Sequence, residues 1–160
     1  MNRNLVLGFG NPDRQDDGVA WHVLHALAVR LDLPAPDSYE DEFPPNGRLD
    51  FAFTLQLTPE MAEQIAPYER VCFVDAHTGS IAAEVQMAPV KAKFQHSPFT
   101  HHLTPQSLLS MCQTLHGKTP RATLLAVRGY QFEFEREISP ETAALVPEAV
   151  EKILGWMEER

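Results

Sequence analysis

Leu5-Val6-Leu7-Gly8-Phe9-Gly10-Asn11-Pro12-Asp13-Arg14-Gln15-Asp16-Asp17-Gly18-Val19 is the stretch from which the fold is read. Its apolar run is too short for a helix and is interrupted by glycine, so it reads as a buried strand entering a tight turn. Gly8 and Gly10 allow backbone conformations, or a close approach to a ligand, that a Cβ resists. Asp16 or Asp17 can cap the helix that follows, because a carboxylate there accepts from free backbone N–H groups. One carboxylate suffices for a cap, which leaves the other for chemistry. The plain alternative is a well-built strand–turn–helix unit with no further role.

The turn is not a dinucleotide fingerprint. Asp13 stands where the third glycine belongs, and its charge repels a pyrophosphate. No Gly-Lys-Ser/Thr phosphate loop is present. An acidic turn at the carboxyl end of a strand suits a cation, or a substrate that carries one. The 160-residue chain is read as a single domain, 1–160, and its net charge of −9 argues against nucleic acid as a partner. Cys72 and Cys112 sit in apolar surroundings without Cys-x-x-Cys spacing, and read as buried thiols. Met1-Asn2-Arg3-Asn4 leads directly into the first strand, and neither a signal peptide nor a membrane-length apolar segment is found. A cytoplasmic location with no membrane partner is the expectation.

Beyond the opening turn, apolar residues recur at helical spacing over 17–31, and Pro34 and Pro36 stop that helix. A short strand is expected over 38–43, then a turn at Pro44-Pro45-Asn46-Gly47. Phe51, Phe53, Leu55 and Leu57 alternate with smaller or polar residues, predicting a half-buried strand over 51–57. Thr58-Pro59-Glu60 reads as a cap opening a short helix that ends near Pro67. Segment 70–76, ending Phe73-Val74-Asp75-Ala76, is continuously apolar enough for the middle of a sheet covered on both faces. A strand within 81–90 and a loop over 91–100 follow. Thr104-Pro105 announces a helix to about His116, closed by Gly117. Segment 122–127 is another buried strand, 131–138 an acidic, aromatic connection, and Ser139-Pro140-Glu141 caps one last helix. Strands alternating with helices predict an α/β, three-layer fold around a mostly parallel sheet. Ligands then bind beyond the carboxyl ends of the strands, where the first turn, Gln56, Asp75 and the His101-His102 loop can converge.

Carboxylates and imidazoles from separate loops are ligands for a borderline cation such as nickel or zinc, although paired acids before a helix are often just a cap. His77, just past Asp75, is a weaker candidate. Gly-x-Ser-x-Gly and His-Glu-x-x-His are both absent, and neither cysteine has a nucleophile's surroundings, so conventional serine, cysteine or zinc peptidases are unsupported.

The opening motif, with Phe73-Val74-Asp75-Ala76 and Thr100-His101-His102 ahead of a helix, resembles the hydrogenase maturation endopeptidases over nearly the whole chain. Those proteins remove a carboxyl-terminal extension from the large subunit of nickel–iron hydrogenases. The resemblance implies a five-stranded, mostly parallel sheet with helices on both faces, of the phosphorylase/hydrolase-like kind. It implies an aspartic-type endopeptidase that activates its hydrogenase, with the precursor as partner and nickel carried by that substrate rather than held tightly by the free protein. Residue by residue, it implies Asp17 as catalytic and metal-contacting, and His101 as the imidazole ligand with His102 beside it. Gly10, Asn11, Asp16, Asp75 and His102 are implied in substrate binding. The family's middle acidic position falls on Gln56, whose neutral amide binds a metal more weakly than a carboxylate. That departure leaves a non-catalytic, nickel-checking or chaperone-like binding module of the same fold as the rival reading.

Overall fold

The computed structural model describes residues 3–47, 49–93 and 103–159. Five strands form one sheet: β1 (Asn4–Phe9), β2 (Leu49–Thr54), β3 (Arg70–His77), β4 (Val85–Val90) and β5 (Arg121–Arg128). Their spatial order is β2-β1-β3-β5-β4. β1 runs parallel to β2 and β3, and β3 parallel to β5, while β4 lies antiparallel along the outer edge of β5. Pro89 is tolerated in β4 because an edge strand has one side with no ladder bonds to make. β3, the strand read as most continuously apolar, is the central one, buried from Arg70 through Val74.

The helices are α1 (Val19–Arg30), α2 (Met61–Ile65), α3 (Pro105–His116), α4 (Pro140–Ala143) and α5 (Val146–Glu158). Alternation along the strands divides the core between two faces. Val6, Cys72, Val74 and Leu125 pack with Val23, Leu24 and Leu27 of α1 and with Val150 and Ile153 of α5. Leu5, Leu7, Val71 and Phe73 point the other way, onto Ala62 and Ile65 of α2 and Leu108, Leu109 and Cys112 of α3. This is the three-layer α/β arrangement expected. Both cysteines are buried free thiols, and burial pushes their pKa up to about 12 at Cys72 and about 11 at Cys112.

Several local expectations are corrected. Segment 38–43 is irregular rather than a strand. β2 covers Leu49–Thr54, so it starts earlier and stops three residues before Leu57. Thr58 makes no side-chain cap; α2 begins at Met61, after a turn closed by the Thr58 and Pro59 carbonyls. The last helix is two, α4 and α5. Pro147 lies in the first turn of α5 and has no N–H to continue a helix from α4, so the chain breaks there. Thr104 and Ser139 cap α3 and α4 as read, and Gly117 closes α3 in the left-handed conformation.

At the amino end of the sheet, Arg70 is only 6% exposed. Its guanidinium lies 4.3 Å from the Trp156 ring centroid and donates to the carbonyls of Trp156 and, at 3.0 Å, Glu159. Those carbonyls terminate α5; Trp156 O also accepts from the Glu159 N–H at 3.2 Å, and the guanidinium adds to this cap and complements the negative end of the helix dipole.

Candidate active site

β1 crosses through α1 to β2 on one side, and α2 returns the chain to β3 on the other side of β1. The carboxyl ends of β1 and β3 therefore border the point at which the winding direction switches, where open α/β sheets leave a crevice. A cleft of about 230 Å³ lies at this end, lined by Phe9, Gly10, Asp17, Leu55, Gln56, Leu57, Asp75 and Leu103. Of the residues singled out in the sequence, Gly10, Asp17, Gln56 and Asp75 are thus brought to one place. His101 and His102 lie outside the described residues; Leu103, the next residue in the chain, lines the cleft.

The turn after β1 explains how Asp17 is aimed. Pro12–Gly18 is a 3-10 turn with a kink, in which Gln15 takes a φ of 55°. The Asn11 side chain accepts from Asp13 N at 2.9 Å, and Asn11 N donates to Asp17 Oδ2 at 2.8 Å. The Asp17 carboxylate is thereby folded back over the turn. Its second oxygen has no hydrogen bond among the described residues. Gly10, at φ 141°, lets this happen: a Cβ there would meet the Asp17 carbonyl oxygen at 2.0 Å. Asn11 serves the turn from outside the cleft lining.

The expectation that Asp16 or Asp17 caps α1 is corrected. The capping position is Gly18, and α1 has no side-chain cap hydrogen bond. Asp16, expected among the substrate-binding residues, is fully buried at 0% exposure. Its carboxylate accepts from Tyr130 N, Gln131 N and Ser139 N, all at 2.8 Å, from Ser139 Oγ at 2.7 Å and from Thr142 Oγ1 at 2.9 Å. Burial alone would raise its pKa, but the hydroxyl and amide of Ser139 and the amides of Gln131 and Tyr130 outweigh it and hold the carboxyl below its ordinary value. Asp16 is a latch between the first turn and the segment that leads into α4, and it does not reach the cleft.

Asp75 projects from the end of β3. Its carboxylate accepts from Ala76 N at 2.8 Å. Burial is the main cause that pushes its pKa up to about 7; the negative charge of Asp17 adds to the effect and the Ala76 amide opposes it. A carboxyl poised there can give or take a proton at neutral pH. Gln56 is exposed just beyond β2, and its backbone carbonyl accepts from Thr54 Oγ1 at 3.0 Å, which shapes the strand exit. His77 is 7% exposed and outside the lining; its Nδ1 accepts from Gly79 N at 3.1 Å. Among the described residues no three His, Cys, Asp or Glu side chains form a cation cluster. The cleft's own oxygen donors are the Asp17 and Asp75 carboxylates and the Gln56 amide, a set that can contact a cation presented from outside.

The apolar walls of the cleft were missed in the sequence. Leu55 and Leu57 extend the alternation past Thr54, which predicts strand through Leu57. The signal was in the wrong place: Gly10 N donates to Thr54 O at 3.1 Å, and the chain leaves the sheet directly afterwards. Leu55 then stands 53% exposed at the mouth.

Neither the known protein-family models nor the curated proteins contain a match to this chain. Solved structures do match. The hydrogenase maturating endopeptidase HybD from E. coli superimposes with a TM-score of 0.69 at 20% identity, covering 97% of this chain and 91% of that one. The [NiFe] hydrogenase maturation protease HycI from Thermococcus kodakarensis gives 0.67 at 19% identity over 99% and 94%. The hydrogenase 2 maturation peptidase from a Thaumarchaeota archaeon gives 0.62 at 19% over 98% and 99%. The likeness is one of fold over nearly the whole chain, and the fold is that of the [NiFe] hydrogenase maturation proteases.

Proposed function

We propose that this protein is an endopeptidase that removes the carboxyl-terminal extension of a nickel-loaded [NiFe] hydrogenase large-subunit precursor, acting in the cytoplasm. The observation that carries this reading is the meeting of Asp17, Gln56 and Asp75 in one open cleft at the switch point of this fold. Asp17 presents a free carboxylate oxygen to the nickel borne by the substrate, with Gln56 offering an amide oxygen and His101 an imidazole. A neutral amide in place of a second carboxylate weakens capture of free nickel, which favours reading the metal within the precursor over binding it from solution. Hydrolysis adds water across the scissile amide, so a proton must leave the water and another must reach the departing amine. Asp75 is the cleft carboxyl whose pKa suits such a transfer. Leu55, Leu57 and Leu103 offer an apolar track for the peptide tail.

The test is incubation of nickel-loaded and nickel-free precursor with the wild-type protein and with Asp17→Asn and His101→Ala. Shortening of the nickel-loaded subunit alone, slowed at least 100-fold by Asp17→Asn and at least tenfold by His101→Ala, is expected. Stable complex formation without cleavage identifies a nickel-checking binding module instead. Wild-type rates from both variants overturn the residue assignment.

A further inference from the structure

A second cavity, of about 320 Å³, lies at the amino ends of the strands, away from the cleft at their carboxyl ends. Arg70 of β3 and Arg121 of β5 reach it at the same level, and Lys91, the residue just past β4, lines it too. Arg70 and Arg121 are directly paired at the starts of β3 and β5. Val90 pairs with Ala122 in the antiparallel ladder, which brings Lys91 level with Arg121. Paired residues share a face of the sheet, so the Arg70 and Arg121 side chains stand in a row, and Lys91 lines the same cavity. Like charges opposite one another destabilise a sheet, and this row sits in a chain whose net charge is −9.

Arg70 is committed and oriented by Trp156 and the two carbonyls that end α5. Arg121 and Lys91 are exposed, and neither has an ion pair or side-chain hydrogen bond among the described residues. Glu159 also lines the cavity, and its single negative charge leaves an excess of two positive charges. Pro89 and the Trp156 ring supply apolar wall beside the cations.

We propose that this cavity is a binding site for a small organic oxyanion, a phosphate monoester or a carboxylate of similar size. A guanidinium presents paired donors that match either group, and a Lys adds a mobile point charge. The exposed Arg121 and Lys91 are the donors to the ligand, and the buried Arg70 contributes its positive charge. The volume exceeds that of a bare inorganic anion, and the apolar wall takes the organic part. The site is independent of the carboxyl-end cleft and of the reaction proposed there.

The test is calorimetric titration of the full chain with phenyl phosphate, citrate and inorganic phosphate at low ionic strength, with wild-type, Arg121→Gln and Lys91→Gln proteins. Both substituted residues are exposed, so folding is retained. Expected are saturable binding of phenyl phosphate or citrate more tightly than inorganic phosphate, a Kd at least fivefold weaker in each variant, and a shifted Trp156 indole N–H resonance on binding. Preference between phenyl phosphate and citrate distinguishes the two oxyanion sources. Absence of saturable binding, unchanged Kd in both variants, or a Trp156 resonance that does not move overturns the proposal.

Discussion

Asp16 and Asp17 are chemically identical neighbours with opposite fates. Asp16 is sealed among five donors, whereas Asp17 keeps one oxygen for the cleft. Two adjacent acids cannot be told apart by composition; the kink at Gln15 sends one inward and the other outward. Asp75 is perturbed in the other direction. Its pKa is about 7 in the folded protein against an ordinary 3.8, so the native state holds a proton that the unfolded chain releases across that interval. Its contribution to stability is therefore full below 3.8 and is lost as pH rises through about 7. Urea unfolding of Asp75→Asn is expected to show a smaller fall in stability between pH 5 and pH 8 than wild type; an unchanged fall contradicts the burial argument.

At the scale of elements, the decisive pairing is between the 3-10 turn and segment 129–142. Besides the Asp16 latch, Gln15 N donates to Glu135 O at 2.8 Å, Glu133 N to Gln15 Oε1 at 3.2 Å, and Arg14 Nε to Phe132 O at 3.3 Å. This long connection, with little regular structure of its own, is ordered by the turn that also aims Asp17. Asp16→Ala strands several buried donors at once, and is expected to destabilise the protein by about 3–5 kcal/mol in denaturant unfolding. Because the native carboxyl titrates below its ordinary value, the stability it provides is present above that value and is lost as pH falls through the native one. Accelerated amide exchange at Tyr130 and Gln131 in Asp16→Ala checks that the loss is local to this latch. The helices behave differently. Thr104, Ser139 and Gly117 cap as their sequence context predicts, since capping needs only neighbours in the chain. The break between α4 and α5 follows from Pro147, a signal present in the sequence but outweighed by the apolar spacing on either side.

For the whole molecule, the sheet has two working ends, and α5 ties them together. Its start follows the Asp16 latch near the cleft, and its end is held by Arg70 beneath the first residues of β3. Arg70→Met keeps apolar contact with Trp156 but removes the two bonds to the terminal carbonyls. A loss of about 2–4 kcal/mol is expected, with faster amide exchange in the last turn of α5 and unchanged exchange in β1. No helix among the described residues is long and apolar enough to cross a membrane.

Sequence alone determined the parts governed by near neighbours: the alternation of the main strands with helices, the central place of 70–76, the caps of α3 and α4, and the acidic turn as the place to look for chemistry. Periodicity and turn residues report local conformation, and these elements obey it. Tertiary structure decided the rest. It chose which acid of the pair is free, ended β2 at Thr54 so that Leu55, Gln56 and Leu57 become cleft wall, and raised the Asp75 pKa by burial beside Asp17. It also brought Arg70, Lys91 and Arg121, far apart in the chain, to one cavity. Burial and electrostatic coupling depend on distances between residues remote in sequence, and those distances exist only once the strands are ordered β2-β1-β3-β5-β4.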